Sequence, residues 1–294
     1  MISGRPRGTS GQPKGLCVIR TQGRRMELLH EAICSVQDQV FPITPCIVVH
    51  ADTAVYDFVK HEIEKWDLPS KNIIVLHADN INLKRGYVCN VGIDVLKTDS
   101  TFDFLCFLDD DDHLLPNFAE RLVRALQIND ADMCYGLTNA IPSTGEPYVQ
   151  HQLLPASKLL VDNFIPINSY IISVRALLAC GARFDETIHY LEDWDFLIKV
   201  ISSGLNIVPV FQTVSEYRLL GDGNVEQKKN PAENDRCYRL VAQRAQEAAK
   251  KISIFKFNDE IMSFQFKRRL PLSEHELAAL KRTTQILNSE TSPA

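Results

Sequence analysis

The sequence predicts an α/β fold with a mostly parallel sheet that helices flank, followed by a C-terminal helical extension. Short apolar runs rich in β-branched residues, typical of buried strands, alternate with longer segments that carry apolar residues at helical spacing. The alternation is regular up to residue 130, and strands that alternate with helices form parallel sheets covered on both faces. No internal repeat or low-complexity block interrupts this pattern.

The first part of the chain contains the predicted strand–helix pairs. The strands are expected at residues 15–20, 46–51, 72–78 and 102–109. The helices are expected at residues 26–39, 55–66, 86–99 and 116–129. Because ligands bind beyond the carboxyl ends of the strands in such sheets, a functional site is expected there.

After residue 130 the pattern is less regular. A strand that runs into a helix is predicted at 169–181, where Gly181 is a suitable helix end. A further helix is predicted at 192–204, with acidic residues in its first turn. Residues 206–219 are rich in strand formers, and the composition becomes polar and helical beyond residue 224.

These changes in composition divide the chain into three parts. Residues 1–14 are rich in Gly, Pro and Ser and have no apolar segment behind them, which predicts a disordered leader rather than a signal peptide. Residues 15–224 are expected to form the main domain, and residues 225–294 the helical extension.

The bulk composition argues against several classes of protein. The 294 residues carry a formal net charge of −5, which is unsuited to nonspecific binding of nucleic acid. No apolar run is long enough to span a membrane. The cysteines are scattered, without a C-x-x-C, which fits a reducing cytoplasm better than a disulfide framework. No G-x-G-x-x-G follows the first strand, which argues against a dehydrogenase.

A run of four aspartates, Asp109 to Asp112, follows the fourth predicted strand. Neighbouring carboxylates repel one another, and a bound cation would relieve that repulsion. Mn²⁺ and Mg²⁺ take oxygen ligands, typically one or two carboxylates together with substrate phosphates. The run therefore predicts a metal site, although single members of it could instead be solvated groups that cap the next helix.

A second acidic group lies at the start of the helix predicted at 192–204. Glu192, Asp193 and Asp195 occupy its first turn, where the helix dipole favours carboxylates, so capping alone would explain them. The alternative is a general base, because a carboxylate beside an activated substrate can remove the proton from an attacking hydroxyl.

The order of these motifs resembles that of the family 2 glycosyltransferases, which have the GT-A fold. The D-x-D, FDE and ED motifs are together more specific than any one of them, and the similarity spans about residues 15–224. The matching segments are ELLHEAICSVQDQVFP (27–42), KRGYVCNVGID (84–94), FLDDDDHLLPNF (107–118), CGARFDETIHYLEDWDFLIKVISSG (180–204) and SEYRL (215–219). The resemblance implies a nucleotide-sugar half at 15–112 and an acceptor half at 113–224.

The resemblance also implies a role for individual residues. Asp193 would be the general base, and Glu192 would orient it or contact the acceptor. Asp109 would contact the donor ribose, while Asp111 would bind the metal and Asp112 would support it. The other residues expected to contact the donor nucleotide are Thr21, Asp52, Arg85, Gly86, Asn90 and Asp110.

Two turns of this chain depart from the family pattern. The first strand is followed by RTQGRR (20–25), a basic turn in place of a Pro-Thr-Tyr-Asn-like one. The second strand ends in HADT (50–53), where the family has an Asp-Asp-Gly-Ser-like run that reads the base. Asp52 is the residue that could substitute for this run.

The sequence thus predicts a metal-dependent, inverting glycosyltransferase of the hexosyltransferase type, active in glycan or polysaccharide biosynthesis. UDP is the expected sugar carrier because it is the commonest in the family, and the acceptor would be the hydroxyl of a glycan, a lipid-linked molecule or another compound. Trp194 would stack on the acceptor sugar unless it packs in the core. The expected location is the cytoplasm, with the inner face of a membrane as an option.

Two other functions remain open at this point. The first is a catalytically inactive GT-A module that binds a nucleotide or a partner, which the two altered turns would suit. The second is a metal-dependent nucleotidyltransferase, which also uses aspartates at strand ends. The separate ED pair favours transfer to a sugar hydroxyl over nucleotidyl transfer, because it supplies a base of its own.

Overall fold

The computed structural model of the chain describes residues 12–78, 84–144, 146–149, 153–220 and 230–250. The leader predicted at 1–14 lies almost entirely outside the described residues, as does the predicted helical extension beyond residue 250.

The described residues form a succession of strands and helices. The strands are β1 (Gly15–Thr21), β2 (Ile43–Val49), β3 (Ile74–His77), β4 (Phe104–Asp109), β5 (His113–Leu114), β6 (Met133–Pro142), β7 (Tyr148–Val149), β8 (Tyr170–Ser173) and β9 (Ile207–Leu219). The α-helices are α1 (Met26–Gln37), α2 (Thr53–Lys65), α3 (Arg85–Thr98), α4 (Phe118–Asn129), α5 (Val174–Cys180), α6 (Glu192–Ser202) and α7 (Pro231–Ala249).

The strands form one mixed sheet in the order β3-β2-β1-β4-β8-β6-β9-β5, with β7 paired to β6. The pairs β1–β2, β1–β4 and β2–β3 are parallel. The predicted α/β fold, in which helices flank a sheet with a parallel part, is therefore confirmed. The four predicted strand–helix pairs lie within a few residues of β1 to β4 and α1 to α4. The carboxyl ends of β1, β2 and β4 meet at one edge of the sheet.

The second half of the sheet has a different topology. Strand β8 is antiparallel to both β4 and β6, whereas β6 and β9 are parallel, with irregular register near Leu137. As predicted, β8 leads directly into α5, which ends at Gly181 with a φ of 66°, a left-handed conformation that suits glycine. The strand β9 ends at Leu219, and this carboxyl end lies close to the turn that follows β4.

The sheet has a hydrophobic core on each face. Along β1, Leu16 and Val18 pack on the side of α3 and α6, whereas Cys17 and Ile19 pack on the side of α1, α2 and α4. Each fully buried side chain of this type contributes about 1.5–3 kcal/mol relative to an exposed one. Because β1 is covered on both faces, a polar residue at its end is held by packing on every side.

The helix α7 packs against the part of the molecule that contains α6. Its buried residues lie in the same core as α6, and they are Cys237, Val241, Ala245 and Ala248. From this helix, the Arg244 guanidinium lies 2.8 Å from an oxygen of Asp185 and 2.5 Å from an oxygen of Asp195, which is fully buried on α6. Within the described parts of the chain, none of the helices combines the length and apolar character that crossing a membrane requires.

Candidate active site

The aspartate run lies at the carboxyl edge of the parallel strands. The register of β1 and β4 places Arg20 opposite Asp109, the last residue of β4. The chain then turns back, and the backbone N–H of Asp112 donates to the Asp109 carbonyl at 3.1 Å. This turn holds the four carboxylates at the sheet edge where a ligand site was expected.

The first aspartate of the run is held by an arginine from the neighbouring strand. The Nε and Nη2 atoms of Arg20 both donate to the Asp109 carboxylate, the second at 3.0 Å. Burial alone would raise the pKa of Asp109, but the adjacent guanidinium outweighs burial and lowers it. Asp109 is therefore a carboxylate that stays ionised well below neutral pH.

The next two aspartates contact the basic turn after β1. The hydroxyl of Thr21 donates to Asp110 at 2.5 Å, and Arg25 forms an ion pair with Asp111. Burial, together with the neighbouring carboxylates, raises the pKa of Asp110 to about 6 and also raises that of Asp111. The carboxylates thus retain a mutual repulsion that these partners do not remove.

The fourth aspartate, Asp112, points inward and is only 1% exposed. Its carboxylate accepts from the Asn168 side chain at 3.0 Å and from the Arg218 backbone N–H at 3.1 Å. Burial, followed by the charges of Asp109 and Asp111, raises its pKa well above the usual range. A buried carboxylate held by neutral donors is a strong attractor for a cation.

The chemistry of these donors fits a divalent metal ion. Asp109, Asp111 and Asp112 each offer a carboxylate oxygen, and these oxygens all lie within 4.8 Å of one another. Oxygen ligands at such spacing suit Mg²⁺ or Mn²⁺. Burial and then the repulsion between neighbouring carboxylates raise the pKa values of Asp111 and Asp112, and a divalent ion would offset that repulsion.

The second acidic pair begins α6. Glu192 is buried, with 3% exposure, and its Oε1 accepts from Arg20 Nη1 at 3.0 Å. Asp193 accepts from the Asn163 side chain at 2.9 Å. Burial and then the Glu192 charge raise the pKa of Asp193 to about 6, although Arg20 and the Asn163 hydrogen bond oppose the rise. Asp193 therefore has the properties of a general base at neutral pH.

The residue before this pair has a strained backbone. Leu191, at the N-terminal boundary of α6, has φ 65° and ψ 24°, in the left-handed region that a leucine rarely adopts. Such strain is frequent at functional sites, where the surrounding structure has to hold it in place. Leu191 sets the direction in which α6 begins, and with it the position of the acidic pair.

The end of the second strand holds Asp52 and His50. Asp52 caps α2, because its side chain accepts from the Val55 backbone N–H at 2.9 Å. His50 is buried, and burial followed by the Arg20 charge lowers its pKa to about 4, so its imidazole is neutral at pH 7. A contact of Asp52 with the donor base stays a prediction.

The residues predicted on α3 divide into two kinds. Arg85 is exposed at the first position of α3. Gly86 lies against other backbone, since a Cβ there would be 2.8 Å from the Asp185 carbonyl oxygen. Asn90 is buried and bonds to the FDE segment, donating to the Phe184 carbonyl at 3.0 Å and to Glu186 at 2.7 Å. The structure thus gives Gly86 and Asn90 a packing role, and their contact with the donor stays a prediction.

Trp194 lies in the core, the alternative that the sequence left open. It is 1% exposed, its indole N–H donates to the Leu159 carbonyl at 2.7 Å, and its ring lies 5.8 Å from that of Tyr238 on α7. A buried indole that has its hydrogen-bond partner is a packing residue. Its face is covered by protein rather than open to an acceptor sugar.

Several partners of the acidic groups were not predicted from the sequence. The basic turn departs from the family pattern, and its charge, opposite to that of the aspartate run, was the available signal for the pairing of Arg20 and Arg25. Asn163 and Asn168 lie in the loop-rich segment, where nothing in the sequence indicated that they reach Asp193 and Asp112. Only the fold brings these amides to the site.

Comparison with known proteins identifies the fold and the family. Solved structures of S. aureus TarS 1–349 have the same fold. The complex with UDP-GlcNAc has 15% sequence identity and a TM-score of 0.54, and the match covers 70% of this chain and 58% of that one. The complex with UDP has 16% identity and a TM-score of 0.57, and the match covers 86% and 70%. The chain therefore spans less than two thirds of the UDP-GlcNAc complex.

The unliganded TarS 1–349 structure gives 16% identity and a TM-score of 0.57, with 92% of this chain and 78% of that chain covered. Among curated proteins, no significant sequence match was found. The family model for glycosyl transferase family 2 matches residues 18–180, more than half of the chain. The chain therefore belongs to glycosyltransferase family 2 and has the GT-A fold.

Proposed function

We propose that this glycosyltransferase is metal-dependent and inverting, and that it moves a sugar from a nucleotide diphosphate to an acceptor hydroxyl. The observation that carries the proposal is the position of one guanidinium, that of Arg20, which contacts both Asp109 and Glu192. It brings the aspartate run and the α6 pair to one site. A charge-rich site for the donor and a separate base are the two parts that such a transfer needs.

The aspartate edge is the proposed donor site. Asp109 would accept from the donor ribose, and Asp111 with Asp112 would hold Mn²⁺ or Mg²⁺. When bound, this ion would offset the charge that develops on the leaving diphosphate. The further donor contacts that we propose are Thr21, Asp52, Arg85, Gly86, Asn90 and Asp110. The TarS complexes contain UDP-GlcNAc and UDP, which supports a UDP-sugar as the donor to test first.

Asp193 is the proposed general base. One of its oxygens accepts from Asn163, which leaves the carboxylate oriented by a neutral amide rather than neutralised by a cation. With a pKa of about 6 it is largely ionised at pH 7, yet more basic than an ordinary aspartate. It would take the proton of the acceptor hydroxyl while the oxygen attacks the anomeric carbon and the bond to the diphosphate breaks with inversion.

The acceptor side is proposed in coarser terms. A glycan, a lipid-linked molecule or another hydroxyl compound would approach along α6, and glycan or polysaccharide biosynthesis is the setting that we propose for the reaction. A cytoplasmic location, with or without contact to the inner face of a membrane, completes the proposal.

Calorimetric titration tests the donor site first. The purified chain is titrated with UDP, GDP, ADP and dTDP, each with and without Mn²⁺, and we expect UDP to bind and Mn²⁺ to tighten the binding. Absence of binding by all four nucleotides would contradict the proposal. Release of the nucleoside diphosphate from the matching nucleotide sugars then tests turnover, with water or simple sugars as acceptors. Binding without turnover under all conditions would contradict the transferase mechanism.

A further inference from the structure

The side chain of Arg20 spans two regions that are far apart in the sequence. Its Nε and Nη2 atoms hold Asp109 on β4, and its Nη1 atom donates to Glu192 at the start of α6. Arg20 is 9% exposed, and Glu192 is 3% exposed. Buried charges are expensive unless they are paired with good geometry, so this arrangement constrains all three side chains.

The backbone of Arg20 is fixed before its side chain is considered. It lies near the end of β1, which pairs with β2 on one side and β4 on the other. The β1–β4 register alone brings Arg20 beside Asp109. The contact with Glu192, in contrast, joins residues 172 positions apart and depends on where α6 begins. The ion pair between Arg20 and Glu192 thus links the start of α6 to the edge of the parallel sheet.

The start of α6 requires a contact of this kind to hold its position. The left-handed Leu191 directly precedes Glu192, and an L-residue with a side chain is strained in that conformation. The Leu191 side chain makes no capping hydrogen bond. An ion pair to the first residue of the helix is a contact that can hold this geometry.

We propose that Arg20 is a positioning residue that fixes the Glu192–Asp193 pair relative to the donor-binding aspartates. The inference rests on the function proposed above. It assigns a part in the reaction to Arg20, the first residue of the RTQGRR segment that departs from the family pattern. Arginine is required because its planar fork presents three nitrogens to two carboxylates, whereas a lysine ammonium is a single point of charge.

The test compares charge-conserving and charge-removing variants. Arg20→Lys keeps the charge and loses the fork, and Arg20→Gln loses both. Misplacing a reacting group by about 1 Å can reduce the rate roughly 10²-fold. We therefore expect kcat for UDP release from the best UDP-sugar to fall about tenfold in Arg20→Lys and about a hundredfold in Arg20→Gln. Because Arg20 also holds Asp109, UDP affinity measured by calorimetry should fall as well, by a smaller factor than kcat. The matched control is Arg124→Gln, because Arg124 is 63% exposed and pairs with Glu120 within α4.

A double-mutant cycle separates positioning from general destabilisation. If Arg20 acts through Glu192, the Arg20→Lys/Glu192→Gln double variant is no slower than the slower single variant, since both changes break one link. Independent effects would instead multiply, and that result would overturn the inference. Rates are normalised to the folded fraction from circular dichroism, and Arg20→Lys carries the test if Arg20→Gln does not fold.

The pH profile provides a readout that lost stability would not shift. Asp193 faces Glu192 on its own helix, Arg20 from β1, Tyr170 from β8 and Asn163 from the preceding loop. Arg20→Gln removes the positive charge that favours the ionised form of Asp193. The pH below which kcat falls should therefore be higher in this variant than in the wild type. An unchanged pH in Arg20→Gln together with wild-type kcat in Arg20→Lys would refute the positioning role. If the wild type releases no diphosphate from any nucleotide sugar, the proposed function itself fails, and this inference fails with it.

Discussion

Asp109 and Asp193 are both aspartates beside Arg20, yet their environments move their pKa values in opposite directions. Asp109, at the end of β4, receives two donors of the guanidinium and has a lowered pKa. Asp193, at the start of α6, is held by a neutral amide, and burial with the Glu192 charge raises its pKa to about 6. Two carboxylates whose pKa values are pushed apart have different tasks available to them.

The different properties of these two aspartates depend on their partners and not on the residue type. A permanently charged aspartate suits a donor site, where it must accept hydrogen bonds or hold a cation. An aspartate with a raised pKa suits proton transfer near neutral pH. Asp109 and Asp193 thus differ in their partners, because Asp109 receives two donors of the Arg20 guanidinium and Asp193 receives the neutral amide of Asn163.

The largest loss of activity is expected from Asp193→Asn. An amide cannot take the acceptor proton, and loss of a general base typically reduces the rate 10²- to 10⁴-fold, so we expect kcat to fall roughly 10³-fold. UDP affinity in Mn²⁺, measured by calorimetry, should stay as in the wild type. Asp57→Asn, on the surface of α2, is the matched control. Transfer at the wild-type rate in Asp193→Asn would exclude Asp193 as the base.

The metal site at the sheet edge is tested by Asp111→Asn. Loss of one carboxylate from the cluster should weaken UDP binding in Mn²⁺ by about 10- to 100-fold, because metal affinity depends on each ligand and its support. Binding measured without metal should change little. Calorimetric titrations of both proteins with UDP, with and without Mn²⁺, provide the measurement. Equal Mn²⁺ dependence in variant and wild type would show that Asp111 does not hold the metal.

The pH dependence of kcat distinguishes the two aspartates, because it should follow Asp193 and not Asp109. The base form of Asp193 is ionised, and its pKa of about 6 means that protonation removes the base as the pH falls below that value. We expect kcat to be level above pH 7 and to fall by at least about tenfold per unit well below pH 6, more steeply if Asp110, whose pKa is also about 6, has to be ionised. Asp109, with its lowered pKa, adds no limb in this range. Circular dichroism at pH 5 serves as the control for folding, and a level profile from pH 5 to 7 would contradict the assignment.

The smallest effect on catalysis is expected from Asn90→Ala. Asn90 pairs with both the N–H and the carbonyl of Phe184, and leaving such buried groups unpaired costs about 1–3 kcal/mol. We expect the free energy of unfolding in urea to fall by about 2 kcal/mol, with UDP affinity of the folded protein lowered as well if Asn90 makes the proposed donor contact.

The control for this variant is Asn230→Ala, which removes only the exposed cap of α7 and should lower stability by about 1 kcal/mol. A large loss of UDP affinity in Asn90→Ala, without a loss of stability, would instead support the direct donor contact predicted from the sequence.

The sequence predicted the parallel half of the fold well, because buried strands and amphipathic helices leave strong local patterns. The position of Asp109 at a strand end followed from the apolar run before it. The partners of the acidic groups did not follow, since Arg20 meets Glu192 across 172 residues and no local pattern encodes such a contact. Trp194 shows the same limit, because the sequence allowed both a sugar contact and the core position in which the structure places it.

The arginine on α7 has a consequence for shortening the chain. Arg244 lies 49 residues after Asp195 and reaches its fully buried carboxylate, which is two positions from the proposed base. A protein cut after residue 224 would keep every motif of the family yet lose this cation and the apolar face of α7. Its α6 would then hold a buried carboxylate whose remaining ion-pair partner among the described residues is the half-exposed Lys199. The smallest active fragment is therefore expected to end beyond α7, well past the last recognisable motif.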